Sequence, residues 1–242
     1  MEVNKIICGD ALEVLPTLPK AKMIFADPPD NLGIKYNGFN DNFGKQSSYI
    51  TWLDRVIRTA QNRCEILWLS YFYKYDIPLI KMLHTKCSWD CRKFIWRFTF
   101  GQHNKYDCGN GYRPIMRMKS MHAILYPQAI KVPSARQTKY NDKRYKKGGR
   151  VPDDVFEFSR VCGTFKERRK WHPCQHPEAL IERIVKFSCK PGDLVIDMFA
   201  GSGTVNRVCK RLNIDCIGIE LSKFYCEKIA EETGAEYTEN EK

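Results

Sequence analysis

The chain of 242 residues predicts an α/β fold, a doubly wound, mostly parallel sheet with helices on both faces. Three observations carry that expectation. Short apolar runs alternate with amphipathic stretches towards both ends of the chain, the pattern of βαβ units. A glycine-rich turn stands between one such run and the helix after it. A carboxylate then closes the next run, where doubly wound sheets bind ligands at their carboxyl edge.

A strand is expected over residues 3–8 (VNKIIC), a helix over 10–18 and a strand over 22–26 (KMIFA), apolar on both faces as a central parallel strand requires. The spacing of Trp52, Val56, Ile57 and Ala60 places a helix over 49–63. A strand follows at 65–70 (EILWLS), then a helix at 76–84 with Pro78 in its first turn, where a missing N–H is tolerated. Strands are expected at 93–100 (KFIWRFTF) and 122–126 (HAILY), with 102–113, rich in Gly, Asn and Asp, as a loop between them. Pro177 is expected at the first position of a helix reaching residue 188, because Leu180, Ile181, Ile184, Val185 and Phe187 recur at helical spacing. A strand at 194–196, a helix at 204–212, a strand at 215–219 and a helix at 222–232 complete the series.

Composition narrows the class. Forty Lys and Arg against 28 Asp and Glu leave a charge of +12, yet 43% of the residues are hydrophobic, which excludes a disordered basic tail. No apolar run approaches the roughly 20 residues of a membrane span, and no secretory signal pattern opens the chain. Eleven cysteines, an odd number, are expected as reduced thiols in a cytoplasmic protein. Nucleic acid is the partner such a charge favours. The excess is concentrated, with eight basic residues against one acid over 131–150 and five against one over 160–170. Lys139, Lys143, Arg144, Lys146, Lys147 and Arg150, with Arg168 and Arg169, are the candidate phosphate contacts. A plain solvated surface loop is the alternative.

Two motifs carry chemistry. In Asp197-Met198-Phe199-Ala200-Gly201-Ser202-Gly203-Thr204 the glycines let backbone approach a ligand at a helix N-terminus, and Gly218-Ile219-Glu220 supplies the acid for a ribose diol. The third glycine of a dinucleotide fingerprint is missing, and so is the Gly-Lys-Ser/Thr of a phosphate loop, so a smaller adenosyl ligand is favoured over a dinucleotide, with an ordinary strand–helix turn as the alternative. Asp27-Pro28-Pro29-Asp30 follows a buried strand, and its prolines hold a rigid turn that would keep Asp27 facing a reacting atom. Alone, it reads equally well as a strand-ending turn.

Taken together, the order Cys8-Gly9-Asp10-Ala11, then Asp27–Asp30, then the basic stretch, then Asp197–Thr204 resembles the β class of exocyclic-amino DNA methyltransferases, which use S-adenosyl-L-methionine. His172-Pro173-Cys174-Gln175-His176-Pro177 is similar to the segment that precedes their cofactor turn. The resemblance implies a Rossmann-like methyltransferase sheet in one domain: a catalytic half (1–100), a basic inserted recognition segment (101–170) and a cofactor half (171–242). It implies that Asp27 and the Pro28 carbonyl accept hydrogen bonds from the amino group of a flipped base, with Pro29 and Asp30 completing the motif. It places the cofactor among Asp10, Ala11, His176, Pro177, Asp197, Phe199, Ala200, Gly201, Ser202, Gly203, Thr204, Glu220 and Leu221, and needs no metal. Asp rather than Ser at position 27 goes with adenine N6 more than cytosine N4. The fourth motif position is aromatic in that family and stacks on the base, whereas Asp30 cannot.

Competing readings stay open. Pro173-Cys174-Gln175 looks like the nucleophile motif of ring-carbon methyltransferases, but it precedes the glycine turn instead of following it. His84, Cys87 and Cys91 lack the paired spacing of a zinc site. A cofactor-binding reader that does not methylate, an RNA substrate and a homodimer are further alternatives.

Overall fold

The computed structural model describes residues 3–86, 88–140, 142–144 and 147–240, so Cys87 and Lys146 lie outside the described residues. In chain order the first half holds β1 (Asn4–Cys8), α1 (Ala11–Val14), β2 (Ala21–Ala26), β3 (Lys35–Tyr36), β4 (Phe39–Asn40), α2 (Gln46–Gln61), β5 (Cys64–Ser70), α3 (Asp76–Lys86), β6 (Asp90–Gln102) and β7 (Asn110–Lys119). The rest holds α4 (Ala135–Thr138), β8 (Val155–Glu157), α5 (Glu178–Ser188), β9 (Leu194–Asp197), α6 (Thr204–Leu212), β10 (Asp215–Glu220), α7 (Lys223–Thr233) and β11 (Glu236–Glu239).

The main sheet runs β11-β1-β10-β9-β2-β5-β7-β6-β8. All its pairings are parallel except those of β7, which is antiparallel to β5 and β6. Alternation along β2 sends Ile24 and Ala26 to one face and Met23 and Phe25 to the other. The first face is covered by α1, α2 and α3 through residues such as Val14, Leu53, Val56 and Leu79. The second is covered by α5 and α6 through Leu180, Ile184, Val205 and Val208. Helix α7 packs Cys226 and Ile229 on Ile6 and Ala200. The doubly wound expectation therefore holds.

Local chemistry sets the boundaries. Asp10 accepts the Leu12 amide at 2.7 Å to cap α1, which tightens into a 3-10 turn at Leu15–Thr17, where Pro16 supplies no N–H. Ser222 caps α7, and Gly234 ends it with a left-handed φ of 66°.

Two expectations are corrected. Residues 122–126 form no strand; the strand is β7, most of which lies beyond the expected loop. Its Ile115, Met116 and Met118 are buried between two neighbours, whereas Ala123 and Leu125 pack as coil against the second core and Tyr126 bonds the Phe187 carbonyl at the end of α5. Pro177 is the extended residue before α5 and not its first helical residue, and its carbonyl accepts the Leu180 and Ile181 amides. The stretch 101–170 contributes β7 and β8 to the main sheet, so only parts of it stand outside that sheet.

Gly203 caps α6 at φ 72°, and an added Cβ would lie 2.8 Å from Ile229 Cγ1. Gly38, in the β3–β4 turn at φ 79°, has open space around it. Gly38→Ala should cost about 1–2 kcal/mol from backbone strain alone, and Gly203→Ala more, read as the shift in urea midpoint at unchanged slope. Equal costs would show that Ile229 yields.

Candidate active site

The sheet brings the two motifs to one edge. Strands β2 and β9 are parallel neighbours with Phe25 opposite Asp197, and β1 and β10 pair with Cys8 opposite Glu220. The carboxyl ends of these strands therefore open onto one crevice, with a cavity of about 210 Å³. Asp27, Pro29, Asp197, Phe199 and Glu220 all line it.

On the cofactor side the turn is rigid. Gly201 and Gly203 take φ of 50° and 72°, and a Cβ at Gly201 would sit 3.0 Å from His172 Nε2. Glu220 is held by two amides, Gly201 N–H on Oε2 at 2.9 Å and Ser222 N–H on Oε1 at 2.8 Å, which leaves each oxygen capacity for one further donor. Burial raises its carboxyl above the usual range, and burial pushes Asp197 up to about 8, only partly offset by the Phe199 amide. Arg207 of α6 braces the turn, donating to the Ser202 carbonyl at 2.6 Å and pairing with Glu178 of α5 and Glu232 of α7. The Ser202 and Thr204 hydroxyls bond at 3.0 Å. Asp10, Ala11, Ala200 and Leu221 line the cavity, while Gly203 and Pro177 do not. Phe43, Trp52 and Phe199 form an aromatic wall with centroid separations of 4.6 and 5.9 Å. Two tethered carboxylates, an apolar wall and a closely approached backbone fit a cationic adenosyl ligand such as S-adenosylmethionine.

The Asp-Pro-Pro side holds a half-buried charge cluster. Arg113, at the start of β7, binds Asp30 through Nη1 at 2.6 Å and Nη2 at 3.0 Å, and binds Asp27 Oδ1 through Nη2 at 2.8 Å. Its Nε donates to Ser70 Oγ at 2.6 Å. Ser70 Oγ is 3.1 Å from His176 Nε2, and His176 Nδ1 is 3.3 Å from Asp27 Oδ2. His176, expected with the cofactor turn, thus turns its ring to Asp27, while its carbonyl accepts the Thr204 hydroxyl at 3.5 Å. Burial raises Asp27, but His176 and Arg113 outweigh it and hold the carboxyl below its usual range. Burial raises Asp30, and Arg113 offsets this only in part. Burial lowers His176, opposed by Asp27. The loop is locked by Asp41, which accepts the Asn31 and Leu32 amides at 2.6 and 3.1 Å, with Asn31 at φ 55°. Neither Pro28 nor Asp30 lines the cavity; Tyr36, tilted against His172 at 5.8 Å, does.

Sequence reasoning missed Arg113, Ser70, Phe43 and Trp52. Arg113 was placed in a loop, and the one available signal is the apolar run that follows it. Cys174 lines the cavity, but burial, with Asp27 beside it, raises its thiol and makes it a poor nucleophile. None of the described basic candidates lines the cavity. Arg169 pairs with Glu232 at 2.6 Å, Arg144 with Asp142 at 2.9 Å and Arg150 with Asp153 at 3.3 Å, while Arg168 donates to the Gly163 carbonyl. Lys143 and Lys147 are exposed, and Lys139 lies over the Tyr140 ring. Among the described residues no His, Cys, Asp and Glu side chains gather into a metal-binding group, and no helix is long and apolar enough to cross a membrane.

Comparison with known proteins supports the geometry. A family model described as DNA methylase matches residues 21–232. The chain is 33% identical over 251 residues to the Type II methyltransferase M.HpaI of Haemophilus parainfluenzae, covering 97% of this chain and 75% of that one. It is 31% identical over 238 residues to the DNA adenine methyltransferase YhdJ of Escherichia coli (strain K12), covering 93% and 80%. In fold it is similar to the cytosine-N4-specific PvuII DNA methyltransferase, with a TM-score of 0.71 at 16% identity over 95% of this chain and 86% of that one. It is also similar in fold to M1.HpyAVI in its complex with SAM, with a TM-score of 0.62 at 21% identity over 94% and 98%. The chain therefore belongs to the DNA methylase family, enzymes that methylate the exocyclic amino groups of DNA bases with S-adenosylmethionine.

Proposed function

We propose that this methyltransferase acts site-specifically on adenine N6, on a base flipped out of duplex DNA. The observation that carries the reading is the single cavity lined by both Asp27 and the cofactor turn. Asp at the first motif position, and a relative named as an adenine methyltransferase, favour adenine over cytosine N4.

Bound S-adenosylmethionine supplies a methyl group on a sulfonium, already a good leaving group. The protein has to position and polarise. Asp27, kept ionised, accepts a hydrogen bond from the amino group, and the Pro28 carbonyl accepts a second. Two acceptors draw the nitrogen lone pair out of conjugation with the ring and direct it to the methyl group, with no covalent enzyme intermediate. Glu220 takes the ribose hydroxyls, Asp10 and Ala11 lie with the adenine, and Phe199–Gly203 surround the remainder. Tyr36 and Phe39, which both line the cavity, are rings available for base stacking. The exposed Lys143 and Lys147, with Lys139, Arg144, Arg150 and Arg168, meet phosphates, whereas Arg169 is engaged by Glu232.

Expressed in a host without DNA methylation, the protein should leave N6-methyladenine at a defined sequence, and Asp27→Ala should lower kcat by about 10²–10⁴-fold with cofactor affinity kept. Methylcytosine instead would reverse the base assignment, and unmodified DNA from soluble protein would reject the activity. Cofactor affinity should also depend on pH. Asp197 is raised to about 8, so below that pH a cationic ligand must displace its proton. Affinity for S-adenosylmethionine should rise with pH, up to about tenfold per unit, and level off above about 8, with a smaller slope for the uncharged thioether product. Equal slopes in calorimetry would remove Asp197 from contact with the sulfonium charge. Lys143→Ala with Lys147→Ala should weaken binding equally on all sequences and lower the salt slope by about 1 per lost contact. An unchanged slope would take the loop off the DNA.

A further inference from the structure

We propose that Asp30 is the counter-ion of Arg113 and not a stacking position, and that Arg113 is a positioning residue that orients Asp27 for methyl transfer. The inference rests on the proposed transfer to an amino group and concerns residues that lie behind Asp27.

Arg113 holds the carboxylate from one side. Its Nη2 donates to Asp27 Oδ1 and its Nε to Ser70 Oγ. Ser70 Oγ lies 3.1 Å from His176 Nε2, and His176 Nδ1 lies 3.3 Å from Asp27 Oδ2. Arg113 and the imidazole thus flank the two Asp27 oxygens and restrict rotation of the carboxylate. Each oxygen retains a lone pair for a substrate amino group.

Charge explains the second aspartate. With Asp27 alone beside it, the guanidinium would cancel the negative charge that the amino group and the nearby sulfonium require. Asp30 takes the guanidinium in a bidentate grip, Nη1 at 2.6 Å and Nη2 at 3.0 Å, leaving Asp27 a single shared contact. Asp27, Asp30 and Arg113 together then carry a net charge of −1. Asp30 itself does not line the cavity, as a stacking residue would. It faces Arg113 from β7, His176 from the segment before α5, Asp27 and Asp41 from its own loop, Tyr49 from α2 and Tyr75 from the turn before α3. Burial makes it the first of the two carboxylates to take a proton. Acid therefore releases Arg113 fully onto Asp27, and transfer falls.

Steady-state methylation by wild type, Asp30→Asn, Asp30→Tyr, Arg113→Gln and the Asp30→Asn/Arg113→Gln double variant tests this. Asp30→Asn and Asp30→Tyr should each lower kcat about tenfold or more, with KM for DNA and cofactor affinity within about twofold. The double variant, which restores the net charge, should recover at least about threefold of the loss seen in Asp30→Asn. The acid limb of the wild-type kcat profile should vanish in Asp30→Asn, a readout that a purely structural role would not move. A gain in turnover for Asp30→Tyr, or multiplicative losses in the double variant, would overturn the proposal while leaving the methyltransferase reading intact. A wild type that transfers no methyl group would instead overturn that reading, and this proposal with it. If Asp30→Asn loses cofactor binding, Ser70→Ala decides, because it removes the acceptor of Arg113 Nε without changing charge: lowered kcat at unchanged KM supports the proposal, and unchanged kcat refutes it.

Discussion

The pairing of β2 with β9 is the constraint on which the rest of the molecule depends. These strands come from opposite ends of the chain, lie side by side in parallel, and set Phe25 against Asp197. A slip of one residue would turn every buried side chain of β2 to the wrong face and draw Asp27 away from the glycine turn. The two cores enforce the register, because Ile24 and Ala26 fit among the helices of one face and Met23 and Phe25 among those of the other. The meeting of Asp27 with the glycine turn is thus a product of hydrophobic alternation, and the site inherits its geometry from packing.

A second constraint comes from the one strand that runs backwards. Every other strand of the main sheet points its carboxyl end to the side of the sheet on which the crevice opens, but β7 points its beginning there. Ser70 is opposite Ile115, so Arg113 projects from just beyond the end of β5, beside Asp27 and Asp30. Buried charges are costly unless paired and fully hydrogen-bonded. Here Arg113 donates to Asp27, Asp30 and Ser70, and the His176 ring lies against Ser70 and Asp27. Such a cluster restrains Asp27, and restraint is what a carboxylate needs when its work is orientation.

Local signals were legible in the sequence, and non-local ones were not. The glycine turn, its acid and α6 were readable because a strand, two glycines and a helix start lie within about a dozen residues and dictate one backbone path. The helices were readable from apolar spacing. By contrast, 122–126 looks like a strand and is coil, since its apolar residues find their place against α5, while β7 hides behind Pro114 and two arginines. The anomaly at Asp30 was visible as a departure from the family motif, but its explanation lies 83 residues away in Arg113. Charge runs were equally visible, yet sequence could not tell which arginines neighbouring carboxylates occupy. Arg169, gripped by Glu232 at the base of α7, is a structural latch, whereas Lys143 and Lys147 stay exposed.

The central claim is that Asp27, held by Arg113 and His176, faces the reacting amino group while the cofactor turn holds the methyl donor on the other side. A structure of the protein with a target duplex and the uncharged thioether product tests it most directly. The account predicts the target base outside the helix, its amino nitrogen within about 3.2 Å of an Asp27 oxygen and of the Pro28 carbonyl, with the Arg113–Asp30 pair unbroken. A base seated elsewhere, or Arg113 displaced from Asp27 and paired with the DNA, would contradict it.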